Sequence, residues 1–231
     1  IIAMEINMWK SYFYNIQKKY SMRVSKTMPL VIRLDGKNVT KNKSIDLLDR
    51  EKENSFSNAL EKTAKYFTEK YNCFAIFGSD EISIICQNPK VVVKDLDSDE
   101  NYHSNEIIAL FTQYFFDYFN EFDKHKKIYW HGKCFSISTD KIISYVKHRS
   151  RIIQNVMTTY FLVKKGMYNG NEKLETRINT CNTIDGYNIV KDFEKGMLYY
   201  NGKRINLDKF LEGQVVETNQ IDIDNLFSDL M

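Results

Sequence analysis

The sequence predicts an α+β protein with a ferredoxin-like core, a βαββαβ chain folded as an antiparallel sheet with two helices on one face. Three observations carry that expectation. Between residues 30 and 138 the apolar spacing runs in the order strand, helix, strand, strand, helix, strand. The middle strands, 73–77 and 80–86, meet at Gly78-Ser79 and read as a tight hairpin. Two strand ends carry a carboxylate beside a glycine, Asp35-Gly36 and Gly78-Ser79-Asp80.

Residues 5–20 place Ile6, Trp9, Tyr12, Phe13, Ile16 and Tyr20 at spacings of three and four, the stripe of an amphipathic helix. Pro29 closes the linker that follows. Over 30–35, Ile32 and Leu34 alternate with Arg33 and Asp35, so apolar and charged side chains leave on opposite faces. Gly36 then permits a sharp turn or a close approach. Residues 37–45 form a basic loop of Lys37, Lys41 and Lys43 with Asn38, Thr40 and Asn42; a solvated turn and a phosphate cradle fit it equally. A long helix is expected over 46–71, one face marked by Phe56, Leu60, Thr63, Phe67 and Tyr71.

After the hairpin, 87–103 is polar and acidic, contains Pro89, and reads as an exposed loop. Ile107, Phe111, Tyr114, Tyr118 and Phe122 predict a helix over 104–122, and clean alternation from Lys133 to Ser138 predicts a strand over 128–138. Residues 140–165 read as another helix, opened by Asp140 as N-cap. Lys141, Lys147, His148, Arg149, Arg151, Lys164 and Lys165 follow with no acid between them, which favours phosphate contact over a merely solvated face. Short strands are expected near 197–200 and 203–206 around Asn201-Gly202. The acidic end, 213–231, is a docked helix or a frayed tail.

The totals bound the function classes. A chain of 231 residues, 43% hydrophobic and 27% charged, supports one large domain or a domain with an extension. The net charge of +3 permits a nucleic-acid partner without demanding one, so local patches must carry that case. Cys73, Cys86, Cys134 and Cys181 form no CxxC pair, which argues for buried, reduced thiols over zinc or disulfides. No apolar run reaches membrane-spanning length, and the N-terminus lacks a signal-peptide pattern. A cytoplasmic protein is expected, with a mitochondrial location the alternative. There is no P-loop, no GxGxxG, no HxxxH, and no cysteine in an activating context.

The chemistry then rests on Asp35 and Asp80. The ferredoxin-like order makes their elements neighbours, so both carboxylates can converge on the sheet's open face. Paired carboxylates that hold two divalent ions suit in-line phosphoryl and nucleotidyl transfer. Hard oxygen donors suit Mg²⁺, and the Gly36 carbonyl could complete the set. Arg33 shares a face with Asp35 and could offset triphosphate charge. The competing reading makes both Asp residues ordinary turn formers. Glu81 is a third ligand, a structural partner for a base, or part of an interface.

Val31-Ile-Arg-Leu-Asp-Gly-Lys-Asn38 and Gly78-Ser-Asp-Glu-Ile-Ser83 resemble the two signature motifs of the tRNA-His guanylyltransferase family, which includes the guanylyltransferase-like 3′–5′ RNA polymerases. Lys43-Ser-Ile-Asp46 resembles the family's Lys-Pro-x-Asp step, and His131-Gly-Lys133 resembles the Asp-Gly-Arg that precedes a family strand. The resemblance implies a polymerase-palm catalytic unit over 1–139 with an N-terminal helix, and a basic helix and C-terminal extension over 140–231 packed on it. It implies addition of nucleotides to the 5′ end of tRNA, after activation of the 5′-phosphate with ATP or GTP. Asp35, Gly36 and Asp80 would bind two Mg²⁺ ions, with Asp35, Asp80 and Glu81 as catalytic carboxylates. Asp35, Gly36, Lys37, Asn38, Val39, Thr40, Ser79 and Asp80 would hold the nucleotide, assisted by Arg33 and Lys43. Lys147, His148, Arg149 and Arg151 would contact tRNA, and the implied assembly is a homotetramer, a dimer of dimers.

Three positions depart from the pattern. Arg151-Ile-Ile-Gln-Asn155 stands where eukaryotic members carry His-Ile-Asn-Asn. His148-Arg149-Ser150 blurs the bacterial Trp-Arg-Gln, and Thr40 replaces a frequent His. Template-dependent 5′-end repair or editing is therefore the better expectation than strict G addition to tRNA-His. The alternatives are a palm-fold nucleotide cyclase or cyclic-dinucleotide synthase, and a non-catalytic RNA-binding module.

Overall fold

Short apolar-rich runs over 30–37, 74–78 and 81–86 produce the middle of a six-stranded antiparallel sheet, buried on both faces, seen in a computed structural model that describes residues 23–37, 39–42, 45–52, 55–94, 104–119 and 128–213. The helix expected over 5–20, the acidic end beyond 213, and the loop residues Asn38 and Lys43 lie outside the described residues. The strands are β1 (Leu30–Lys37), β2 (Phe74–Gly78), β3 (Glu81–Cys86), β4 (Tyr129–Ser136), β5 (Met197–Tyr200) and β6 (Lys203–Ile205). Their spatial order is β4-β1-β3-β2-β5-β6. The first four keep the ferredoxin-like order. The β5–β6 hairpin extends the sheet past β2, turning at Asn201-Gly202, where both residues take positive φ as a type I′ turn requires.

The helices among the described residues are α1 (Phe56–Tyr71), α2 (Pro89–Val93), α3 (Ser104–Phe119), α4 (Ile142–Lys164), α5 (Leu174–Asn182), α6 (Tyr187–Lys191) and α7 (Leu207–Leu211). α1 begins ten residues later than its expected start at 46, with Ser55 as its cap, its Oγ accepting from Asn58 N–H. The reason is local. Asp46 and Asp49 accept from the backbone N–H groups of Leu48 and Lys52, which offers the chain turns in place of a helix. α2 falls where a loop was expected, because Pro89 sits in the first turn of a helix rather than interrupting one. Asp140 does not cap α4: it lies in a 3₁₀ turn, Thr139–Lys141, that leads into the helix.

The ladder register sorts the sheet into two faces. Leu30, Ile32 and Leu34 share one with Cys86, Ile84 and Ile82 of β3. α3 and α1 cover it: Ile108 of α3 and Leu34 of β1 both lie against Gly132, and Phe67 of α1 stacks on Phe111 of α3 with ring centroids 4.7 Å apart. Phe67→Ala is expected to destabilise by about 3–5 kcal/mol, read as a lower urea midpoint at unchanged slope. A cost under about 1 kcal/mol would contradict this placement of the core.

The second face, expected to be open, is partly covered. It carries Val31, Arg33 and Asp35, opposite Ile85, Ser83 and Glu81 of β3 and Phe135, Lys133 and His131 of β4. α4 lies across it, bonded to Ser83 and Glu81 of β3, while among the described residues Asp35 is partly exposed and His131 and Lys133 of β4 are exposed.

Candidate functional site

β1 runs on through Gly36 to Lys37, so Gly36 is a strand residue and not the apex of a turn. Its glycine character serves the close approach. A Cβ there would lie 2.6 Å from Val39 Cγ2 and 3.3 Å from the Asp80 carbonyl oxygen. The Gly36 N–H donates to that carbonyl at 2.7 Å. β2 and β3 are joined by the two-residue turn Ser79-Asp80, with Ser79 at φ 50°. The Asp-Gly and Ser-Asp motifs, distant in sequence, are thus bonded to each other.

Asp35 is the cross-strand partner of Glu81 on β3 and of His131 on β4. Its side chain is 35% exposed and sits 3.4 Å from the guanidinium of Arg33. Asp80 accepts a hydrogen bond from Ser79 Oγ at 3.0 Å. Burial, then the Asp35 charge, push the Asp80 carboxyl up to about 6, against the opposing hydrogen bond from Ser79. A carboxyl whose proton affinity is raised by burial and by a neighbouring carboxylate is short of positive charge.

Glu81 is occupied differently. Arg149 Nε donates to Glu81 Oε1 at 2.8 Å, and a terminal guanidinium nitrogen donates to Oε2. Both side chains are buried, at 6% and 5% exposure. Burial pushes the Glu81 carboxyl upward, and Arg149 opposes that shift. Of the three readings open to Glu81 from sequence, the geometry matches a structural partner for a base. Arg149, expected on an RNA-facing surface, is instead turned into the sheet.

The other predicted residues fall as follows. Lys37 and Thr40 are exposed, and Val39 is buried in the 3₁₀ turn Val39–Lys41. Lys147 and His148 are exposed on α4 with no acidic partner among the described residues. Arg151 is exposed and pairs with Glu175 of α5, while Lys164 pairs with Asp46 and Lys141 with Asp140. The acids absent from α4 are thus supplied largely by other elements. His131-Gly-Lys133 lies within β4 rather than ahead of it, and its two exposed side chains share the face of Asp35 and Arg33. The sequence reading missed Tyr145, whose hydroxyl bonds Ser83 Oγ at 3.0 Å, and Ile153, packed on Gly78 and Gly196. Their spacing with Arg149, four residues each way, is the signal that could have found them.

Among the described residues, no group of three or more His, Cys, Asp or Glu side chains is placed to hold a metal ion. The donor set here would be two carboxylates and one backbone carbonyl. All are hard oxygens, and the raised proton affinity of Asp80 is what a cation would relieve, so Asp35, Gly36 and Asp80 fit Mg²⁺. No described helix is long and apolar enough to cross a membrane.

The sequence matches no family model and no curated protein. Solved structures do match. A bacterial tRNA(His) guanylyltransferase-like protein in complex with ATP aligns at TM-score 0.59 and 16% identity, covering 82% of this chain and 83% of that one. One in complex with GTP aligns at 0.61 and 16%, covering 83% of each. The tRNA(His) guanylyltransferase of Saccharomyces cerevisiae aligns at 0.60 and 18%, covering 92% of this chain and 98% of that one. At these identities the likeness establishes the fold.

Proposed function

We propose that this chain, which has the fold of the tRNA(His) guanylyltransferases, is a nucleotidyltransferase that extends the 5′ end of tRNA in the 3′–5′ direction. The reaction would be template-dependent repair or editing, or G addition to tRNA-His. The observation that carries this reading is the 2.7 Å bond between Gly36 and Asp80, which joins the two carboxylate-bearing motifs at the adjoining ends of β1 and β3. ATP and GTP in the matched bacterial structures support a triphosphate substrate.

In the proposed reaction the 5′-monophosphate of the RNA first attacks the α-phosphate of ATP or GTP, forming a phosphoanhydride and releasing pyrophosphate. The 3′-hydroxyl of an incoming nucleoside triphosphate then loses its proton and attacks the RNA's 5′-phosphate, forming a phosphodiester and releasing AMP or GMP. Asp35, Asp80 and the Gly36 carbonyl would hold Mg²⁺, which when bound lowers the pKa of an attacking hydroxyl and neutralises triphosphate charge. Ser79, Lys37, Val39 and Thr40, with Asn38 and Lys43 from the same loop, would hold the nucleotide. Arg33 would donate to a phosphate oxygen; its buried Nε has no partner among the described residues. Lys147, His148 and Arg151 would contact RNA phosphates. The proposed assembly is a homotetramer.

The test is incubation with labelled nucleoside triphosphates and a 5′-truncated tRNA in Mg²⁺. Label is expected at the RNA 5′ end. Release of a cyclic nucleotide without RNA would replace this reading with the cyclase, and RNA binding with no incorporation would replace it with a binding module.

A further inference from the structure

We propose that Arg149 is a positioning residue: by gripping Glu81 with both prongs of its guanidinium, it fixes the turn that carries Asp80 and keeps Glu81 out of the metal's ligand set. This rests on the reading of Asp35 and Asp80 as metal ligands.

The geometry behind it is a stripe on α4 that tracks the β2–β3 hairpin. Tyr145, Arg149 and Ile153 are spaced four residues apart, so they line one face of the helix. Tyr145 bonds Ser83, Arg149 bonds Glu81, and Ile153 packs on Gly78. Those three hairpin residues share one face of the sheet, running from the middle of β3 to the strand ends that flank the Ser79-Asp80 turn. A Cβ at Gly78 would lie 2.7 Å from Ile153 Cγ2, so helix and hairpin are in close contact there. Tyr145 also meets Phe135 of β4 edge-on at 5.8 Å, which holds the start of α4 across the sheet.

The ion pair is what this docking turns on. Glu81 is directly opposite Asp35 in the ladder and adjacent to Asp80 in sequence. Unpartnered, it would be a third negative charge at the site, and like charges opposed across a ladder repel. A guanidinium matches a carboxylate with two parallel donors and cannot be deprotonated, so it both neutralises Glu81 and sets its orientation. Both Glu81 oxygens are bonded to Arg149. The pair is buried, so removing one partner leaves an uncompensated charge beside the Asp80 turn. α4 also carries Lys147, His148 and Arg151 on its exposed side, so the same contact sets the proposed RNA-facing bases relative to the carboxylates.

The experiment measures Mn²⁺ binding to the full chain by electron paramagnetic resonance of the free ion, with folding checked by circular dichroism. Asp80→Asn is expected to lose most Mn²⁺ affinity. Glu81→Gln is expected to bind within about threefold of the parent, because the amide oxygen still accepts from Arg149. Arg149→Met is expected to weaken Mn²⁺ binding by about tenfold although it touches neither proposed ligand. Arg149→Lys, which keeps the charge but loses the fork, is expected to fall between. The double variant Glu81→Met/Arg149→Met, which swaps the pair for apolar packing, is expected to bind better than Arg149→Met. Glu81→Gln losing as much affinity as Asp80→Asn would make Glu81 a ligand and overturn the proposal. So would parental affinity in both Arg149→Met and Arg149→Lys; if Arg149→Met does not fold, Arg149→Lys alone decides. Parental affinity in Asp80→Asn would overturn the metal reading and the proposal together, and so separates the two failures.

Discussion

Asp80→Asn is expected to abolish nucleotide addition and, in the absence of divalent cations, to make the protein more stable. The activity loss is set at about 10³-fold or more, since a ligand for the charge-neutralising ion is removed at several kcal/mol of transition-state stabilisation. The stability gain follows from the carboxyl pushed up to about 6 by burial and by Asp35. An unfolded Asp titrates near about 4, so the folded state resists ionising a group that the unfolded state ionises readily. Well below about pH 4 both states are protonated and the penalty is absent. It grows as pH rises through that window and is fully present well above about 6, costing roughly 3 kcal/mol. Asparagine carries no charge and keeps an oxygen for the Ser79 hydroxyl. Urea unfolding in EDTA at about pH 3 and pH 8 checks this: the two proteins should converge at the lower pH and separate at the higher. A variant less stable than the parent at pH 8 would refute the electrostatic account of the site.

Gly36→Ala is the second large effect, and it acts on both stability and activity. The added methyl would sit 2.6 Å from Val39 Cγ2 and 3.3 Å from the Asp80 carbonyl. Something must move, and overpacking of this kind costs about 1–3 kcal/mol. The contact most exposed to that movement is the Gly36–Asp80 bond at 2.7 Å, which holds the two carboxylate motifs together. A displacement of about 1 Å at a reacting centre costs on the order of 10²-fold in rate. Thermal melts and a Mg²⁺ titration of the addition rate read the two effects separately. Adding Val39→Ala removes the shorter contact. It should restore stability more than activity, because the Asp80 carbonyl still faces the new methyl. Parental behaviour of Gly36→Ala in both measurements would show that the close approach is dispensable.

Much of this architecture was legible in the chain. The alternation of Ile32 and Leu34 with Arg33 and Asp35 placed the charged pair on one face, as the register with Ser83 and Glu81 shows. Asn201-Gly202 marked the last hairpin because few residue pairs accept two positive φ values. Where the reading failed, the deciding interaction was long-range or competed locally. Asp46 and Asp49 held their neighbours out of a helix that periodicity alone would have begun at 46. The basic run on α4 looked uncompensated because Glu81, Asp46 and Glu175 reach it from other elements.

The sequence by itself determined which segments are strands and helices around the site, and which residues could bring oxygen donors and positive charge to it. Those properties are local, set by periodicity, backbone preference and side-chain chemistry within a few residues. Only the tertiary structure decided that Asp80 meets Gly36, that α4 covers part of the face expected to be open, and that Glu81 belongs to Arg149. Each of these pairs residues far apart in the chain, where packing and charge neutralisation choose the partner and no local pattern records the choice.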